Sequence, residues 1–318
     1  MSFIDPWNKI LRYPEVLDKI RRGERVTPLN VEFDLTDRCQ CRCVWCAFEY
    51  MHSRREMPTE LAERAIRECA DVGVKALTFT GGGEPTLHPR FADLVRYAKE
   101  QGLAVGLYTN GIRRQALIEA APYLDWAYIS LDEVDPRAYK RNKGVNAWWG
   151  VCGNVQAIAG KTIVGMGFLL HGDNYRQAPK MQEIAHDMGA DYCQFRPVVG
   201  LDDYGWVPEC LEILRGVEGA YVSWARFEDV MAPKPRSYTI CRGSALVPCI
   251  GADGTVWVCP HTRGLRPLGN LNEESLRAIW ARREEQHVGP DCRLECRNHA
   301  LNETLEYVCR DAPHMEFV

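Results

Sequence analysis

The chain has 318 residues and carries 39 Lys plus Arg against 43 Asp plus Glu, a net charge of −4. With 46% hydrophobic and 26% charged residues it has the composition of a globular protein that buries a sizeable core. It contains no basic block and no uninterrupted apolar run of membrane-spanning length, which excludes nucleic acid and membrane from the expected partners. The stretch up to Val26 lacks the apolar core and small-residue site of a secretion signal, so the cytoplasm is the expected location. Fourteen cysteines are the unusual feature. A reducing compartment does not sustain a disulfide framework, and metal or cluster binding is the reading that remains.

From about residue 31 to 198, strand-length runs alternate with amphipathic segments. The runs are VEFDLT (31–36), KALTFTG (75–81), LAVGLYT (103–109), WAYISLD (126–132), TIVGMGFLL (162–170) and DYCQFRP (191–197). They are rich in β-branched and aromatic residues. Helical spacing marks 58–73, with Pro58 at its start and Gly73 past its end, and also 89–102, 114–124 and 174–189. Six β-then-α units predict a parallel sheet with right-handed crossovers, a partial (βα)6 barrel of the α/β class. Reactive groups are expected at the carboxyl ends of its strands.

Beyond residue 200 the rhythm changes. Residues 206–221 read as one last barrel helix, and 233–239 as a linker. The segment 247–260 reads as a hairpin around Ala252-Asp253-Gly254, followed by a helix over 272–286. The expected organisation is an N-terminal helical extension (1–30), a barrel (31–232) and a small metal-stapled domain (233–318).

The first strand leads into Cys39-x3-Cys43-x2-Cys46. Three thiolates on one tight loop hold three corners of an iron–sulfur cube and leave the fourth iron open. A zinc knuckle built on Cys43 and Cys46 is the competing reading. The second strand ends in Thr80-Gly81-Gly82-Gly83-Glu84-Pro85, next to where the cysteine loop should lie. Together these motifs and the six βα units resemble the radical S-adenosylmethionine (SAM) superfamily over roughly residues 30–200.

The resemblance implies that Cys39, Cys43 and Cys46 ligate a [4Fe–4S] cluster that chelates SAM. It places Gly82, Gly83 and Glu84 at the SAM amino group, Trp45 near its adenine, and Ser130 and Asp132 at its methionyl and ribose parts. It also places Arg196, in the Phe195-Arg196-Pro197 end of the sixth strand, where such enzymes close over the cofactor. For Ser130 and Asp132 the competing role is a helix N-cap. Cys41 is off the ligand spacing and reads as a bystander.

In the tail, Cys241-x12-Gly254-x4-Cys259 is followed by Cys292-x3-Cys296. The pattern is similar to the shortened auxiliary-cluster extension called twitch, a reduced SPASM domain, and implies a second [4Fe–4S] cluster. The final pair departs from the usual C-x2-C, which leaves Cys309 as a substitute for Cys292 or Cys296; a four-cysteine zinc is the alternative. Cys69, Cys152, Cys193 and Cys210 read as apolar fillers. Cys249 lies between two ligands on the hairpin and is the candidate catalytic thiol.

Only about thirty residues precede the first strand, where peptide-modifying relatives usually carry a recognition domain. Acidic residues follow several strand ends: Asp132, Glu133, Asp135, Asp173, Asp202 and Asp203. Solvated loop carboxylates and a polycationic aminoglycoside substrate account for them equally well. The resemblance is to radical SAM epimerases that invert one aminosugar carbon of an aminoglycoside, with a cysteine thiol returning the hydrogen. The alternative is a twitch-type dehydrogenase of an aminocyclitol or peptidyl residue, with the auxiliary cluster as electron acceptor. Either activity requires an electron-donor protein such as flavodoxin or ferredoxin.

Overall fold

The computed structural model describes residues 9–232, 236–289, 292, 296 and 298–310. Helix α1 (Pro14–Arg21) leads into strand β1 (Asn30–Asp34). Then follow α2 (Thr59–Val72), β2 (Ala76–Thr80), α3 (Phe91–Glu100), β3 (Ala104–Thr109), α4 (Arg114–Ala120) and β4 (Trp126–Ser130). Helices α5 (Pro136–Lys143) and α6 (Trp148–Ile158) precede β5 (Ile163–Leu170), α7 (Ala178–Asp187) and β6 (Tyr192–Pro197). All six expected strands form and pair in parallel in sequence order.

The sheet divides side chains by the two-residue period of a strand. Val31 and Phe33 of β1, and Leu35 just past its end, join the apolar layer beneath the helices. Phe33 meets Phe79 edge-on at 5.7 Å, and Phe79 meets Phe91 at 5.9 Å. Glu32 and Asp34 face the opposite, inner side of the sheet and are buried there. Gly167 is required on that inner side, because a Cβ would lie 1.8 Å from the Tyr128 hydroxyl. Gly73 ends α2 at φ +93°, a conformation that glycine adopts without strain.

The C-terminal part departs from expectation in several places. Residues 206–221 are not one helix: α8 (Val207–Arg215) is followed by a strand, β7 (Ala220–Val222), paired with β6. Helix α9 (Trp224–Met231) comes next. Of the expected linker, 233–235 lie outside the described residues, while Tyr238 is buried and shares a hydrogen bond with His299 Nδ1 at 3.1 Å. The expected hairpin forms from β8 (Cys249–Ile250) and β9 (Thr255–Trp257), extended by β10 (Pro267–Asn270). The helix expected over 272–286 is shorter, α10 (Leu276–Ala281), and starts where the Ser275 side chain accepts from the Ala278 N–H. The last described helix is α11 (His299–Cys309).

The hairpin is not a separate layer. Strand β8 pairs in parallel with β1, placing Cys249 opposite Glu32, and one ten-stranded sheet runs from β10 to β7. The N-terminal extension is likewise tied to the tail: Ile10, Ile20 and Val26 form a second core with Leu246, Leu301 and Leu305.

Candidate active site

The cysteine loop after β1 is shaped by the glycine turn after β2. Glu84 N–H donates to the Arg38 carbonyl at 2.7 Å. A Cβ on Gly83 would meet that carbonyl oxygen at 2.2 Å, and one on Gly82 would meet Asp37 Oδ1 at 2.9 Å. Two backbones touch here, so side chains are excluded. The Glu84 carboxylate is fully enclosed. Its Oε1 accepts from Thr86 N–H, Thr86 Oγ1 and Thr109 Oγ1 at 3.1, 2.5 and 2.6 Å, and its Oε2 from Asn110 N–H at 2.8 Å. Burial raises its pKa against these donors. Glu84 therefore acts first as the brace of its own turn, with acceptor capacity left on Oε2.

Cys39, Cys43 and Cys46 are partly exposed, whereas Cys41 is buried between them. Cys41 is closer to the group than its spacing suggested, since its thiol lies near enough to interact with those of Cys39 and Cys43. The Cys43 thiol is lowered to about 7, first by the hydrogen bond with Cys41 and then, against burial, by the Lys143 ammonium. A lowered thiol pKa favours the thiolate, the form that ligates iron. Beside this loop opens a cavity of about 480 Å³ lined by Cys39 and Cys41 among others. Asp37 Oδ1, Gln40 Oε1 and Asn110 Nδ2 are buried here without partners. Partly exposed thiols and unsatisfied polar atoms of both donor and acceptor type fit a cluster carrying a zwitterionic ligand. Among the described residues, no three His, Cys, Asp or Glu side chains close around a single metal ion.

Outside the residues that line this cavity, Trp45 is 36% exposed, and its ring lies 5.6 Å from that of His171. Ser130 ends β4 half-buried. Asp132 is no N-cap; it occupies a left-handed conformation at φ +67°, pairs with buried Lys143 and accepts from Leu169 N–H at 2.9 Å. The cap of α5 is Asp135, through the N–H groups of Arg137 and Ala138 at 2.8 and 3.0 Å. Glu133 accepts from Asn142 and lies 3.7 Å from His171 Nε2. Of the expected polycation-binding ring, Asp132 and Glu133 are thus buried and paired and Asp135 caps a helix, leaving Asp173, Asp202 and Asp203 exposed. Arg196 lies on β6 with its guanidinium 4.9 Å from the Tyr128 ring centre.

In the tail, the thiols of Cys241, Cys259 and Cys296 are close enough to act on one another electrostatically. Arg236 joins the group through a hydrogen bond to Cys292. Cys241, Cys259 and Cys296 therefore lie in one region, with Arg236 linking Cys292 to it, although among the described residues the four thiols are not drawn together around one point. Cys309 does not join them. It ends α11 and donates to the Ile20 carbonyl at 3.8 Å, on the side of α1.

Cys249 stands apart from both groups. It is fully buried on the inner side of the sheet, with Sγ 3.7 Å from Asp34 Oδ2. Asp34 in turn receives Arg263 through Nε at 2.6 Å and Nη2 at 2.9 Å, and Arg263 Nη2 also reaches Glu32 at 3.0 Å. The Phe48 ring, two residues beyond Cys46, lies 4.6 Å from the Arg263 guanidinium carbon. Burial pushes the Cys249 thiol well above its usual range, so the S–H is retained at neutral pH. Glu32, Asp34, Lys143, His171 and Arg263 escaped the sequence reading. One signal was present: acids at alternate positions in VEFDLT contradict the nearly continuous apolar run of a buried parallel strand.

Residues 33–185 match the Radical SAM superfamily, and residues 241–311 match SPASM, an iron–sulfur cluster-binding domain. Among curated proteins, the chain is 27% identical over 188 residues to a PqqA peptide cyclase of Streptomyces rochei, covering 56% of this chain and 50% of the relative. It is 26% identical over 287 residues to the PqqA peptide cyclase of Xanthomonas axonopodis pv. citri, covering 80% of this chain and 74% of the relative. A probable GTP 3′,8-cyclase of Thermococcus kodakarensis is 32% identical over 130 residues, covering 40% and 41%. The chain spans half or less of the length of the first curated relatives that it matches. Among solved structures, Streptococcus suis SuiB bound to precursor peptide SuiA superposes with TM-score 0.68 at 16% identity, covering 88% of this chain and 70% of that one. Native anSMEcpe with bound AdoMet superposes with TM-score 0.59 at 16% identity, covering 80% of each chain. These two likenesses are of fold.

Proposed function

From a chain that carries a Radical SAM domain followed by a SPASM iron–sulfur domain, we propose a radical SAM epimerase that inverts one aminosugar carbon of an aminoglycoside, the neomycin C to neomycin B type of change. The observation that carries this reading is Cys249: a buried thiol on the inner side of the barrel sheet, outside both cysteine groups. Cys39, Cys43 and Cys46 would hold the [4Fe–4S] cluster of the Radical SAM domain, and Cys241, Cys259, Cys292 and Cys296 would hold one auxiliary [4Fe–4S] cluster. When bound, the first cluster and SAM supply a 5′-deoxyadenosyl radical that removes a hydrogen atom from an unactivated C–H bond.

The chain's own residues then divide the work. Gly82 and Gly83 keep the floor beside the cysteine loop free of side chains, and Glu84 fixes that turn. Trp45, Ser130, Asp132 and Arg196 would contact SAM. Cys249 returns a hydrogen atom to the opposite face of the substrate carbon: a C–H bond forms, the S–H bond breaks, and the thiyl radical is reset by one electron and one proton. The electron comes from a reductant of the flavodoxin or ferredoxin class, which fits a cytoplasmic setting.

A second reading is favoured by one observation, the peptide cyclases among the relatives. It is a dehydrogenase of an aminocyclitol or peptidyl residue, with the auxiliary cluster as electron acceptor. Anaerobic incubation with SAM, reductant and neomycin C, read by mass spectrometry and chromatography, separates the two. Epimerisation gives a product of unchanged mass and altered retention, whereas oxidation gives one lighter by two hydrogens. No conversion of any aminoglycoside would overturn the epimerase reading.

A further inference from the structure

The reset of Cys249 calls for a proton at a place that solvent does not reach, and this inference rests on the thiol donor proposed above. Cys249 is completely buried, as is the whole Arg263 side chain. The titratable and charged groups brought to the sulfur are Asp34 and Glu32 from β1 and Arg263 from the turn after β9. Of these, the Asp34 carboxylate is in hydrogen-bond contact with Sγ, and Glu32 meets Arg263 through its far nitrogen. Two carboxylates thus share one guanidinium. A carboxylate in direct contact with the sulfur is a base positioned to hand it a proton.

We infer that Asp34 is the proton relay of Cys249, with Arg263 holding its carboxylate against the sulfur. At rest the S–H donates to Asp34 Oδ2. Once the hydrogen atom has left and one electron from the flavodoxin- or ferredoxin-class reductant has made the thiolate, two electron-rich atoms face each other across that contact. The thiolate raises the proton affinity of Asp34, which is itself fully buried and takes up a solvent proton when the site opens locally, then passes it to Sγ. The S–H bond is restored, Asp34 returns to the carboxylate, and Arg263 balances its charge. The Phe48 ring over Arg263 ties this assembly to the cysteine loop.

The test reads proton exchange directly, without substrate. The reconstituted holoenzyme is transferred to D2O and the loss of S–H infrared bands is followed. Difference spectra against Cys249→Ala and Cys193→Ala assign the two thiols. Cys193 is 1% exposed and only its burial moves its pKa, so it is the control for exchange without a relay. Cys249 should exchange on the order of a hundredfold faster than Cys193, the size of effect that a positioned acid–base group supplies. Asp34→Asn should bring Cys249 down to the Cys193 rate, and in an epimerase assay should still give a first turnover while slowing every later one. Equal exchange of Cys249 and Cys193 in the wild type would overturn the relay, even if Asp34→Asn fails to fold. Failure of the epimerase reading would show instead as absence of inverted product, which the exchange measurement does not depend on.

Discussion

The backbone N–H of Glu84 donates to the carbonyl of Arg38 at 2.7 Å, joining the glycine turn to the cysteine loop one residue before Cys39. Because Gly83 lies directly over that carbonyl, the shape of the cluster loop depends on the absence of a side chain on the neighbouring strand's turn. Gly83→Ala would place Cβ 2.2 Å from Arg38 O, a clash with backbone that no rotamer relieves. The expected outcome is a loss of about 3 kcal/mol in stability, the upper range for overpacking, together with poor iron loading of the first cluster. Chemical denaturation and iron analysis check it; an unchanged midpoint with full iron content would contradict the contact.

Iron stoichiometry tests the two-cluster assignment. Two cubes correspond to about eight irons per chain after anaerobic reconstitution, and Cys39, Cys43 and Cys46 changed together to Ala should leave about four. Cleavage of SAM should be lost in that variant, while changing Cys309 to Ala should leave iron content unaltered. SAM cleavage by the triple variant would show that the first group holds no catalytic cluster.

Glu84→Gln probes the brace. The carboxylate accepts four hydrogen bonds, and an amide in its place turns one oxygen into a donor facing Asn110 N–H or the two threonines. The expected cost is about 1–3 kcal/mol in stability, present without SAM, with a weakening of SAM binding of similar size. Thermal denaturation of the SAM-free protein separates the effects. A variant that melts as the wild type does and loses only SAM affinity would assign Glu84 to the ligand rather than to the turn.

What the sequence disclosed and what it withheld follow from how local each signal is. The six barrel strands were legible because each carries its own run of β-branched and aromatic residues between turn signals. The three-residue β7 has no such run, and it forms because β6 offers it an edge. The cysteine loop and the glycine turn were legible as separate motifs, but their mutual contact between Gly83 and Arg38 was not. Asp132 and Asp135 looked alike as acids past a strand; only the fold gives one a lysine to pair with and the other a helix to cap. The Cys249, Asp34 and Arg263 assembly was the least legible, since a parallel pairing of β8 with β1 brings together residues more than two hundred positions apart. Likewise spacing left Cys309 open as a ligand, and its place on α11 beside α1 removes it.

The central claim is that Cys249 gives its hydrogen to the inverted carbon, and a solvent label tests it most directly. A thiol exchanges its proton with water, whereas a C–H hydrogen does not. Wild-type enzyme turning over neomycin C in D2O should therefore place one deuterium at the inverted carbon. Cys249→Ala should still cleave SAM and take a hydrogen atom from the substrate, yet yield no inverted product. Inverted product without deuterium, or full epimerisation by Cys249→Ala, would contradict the account.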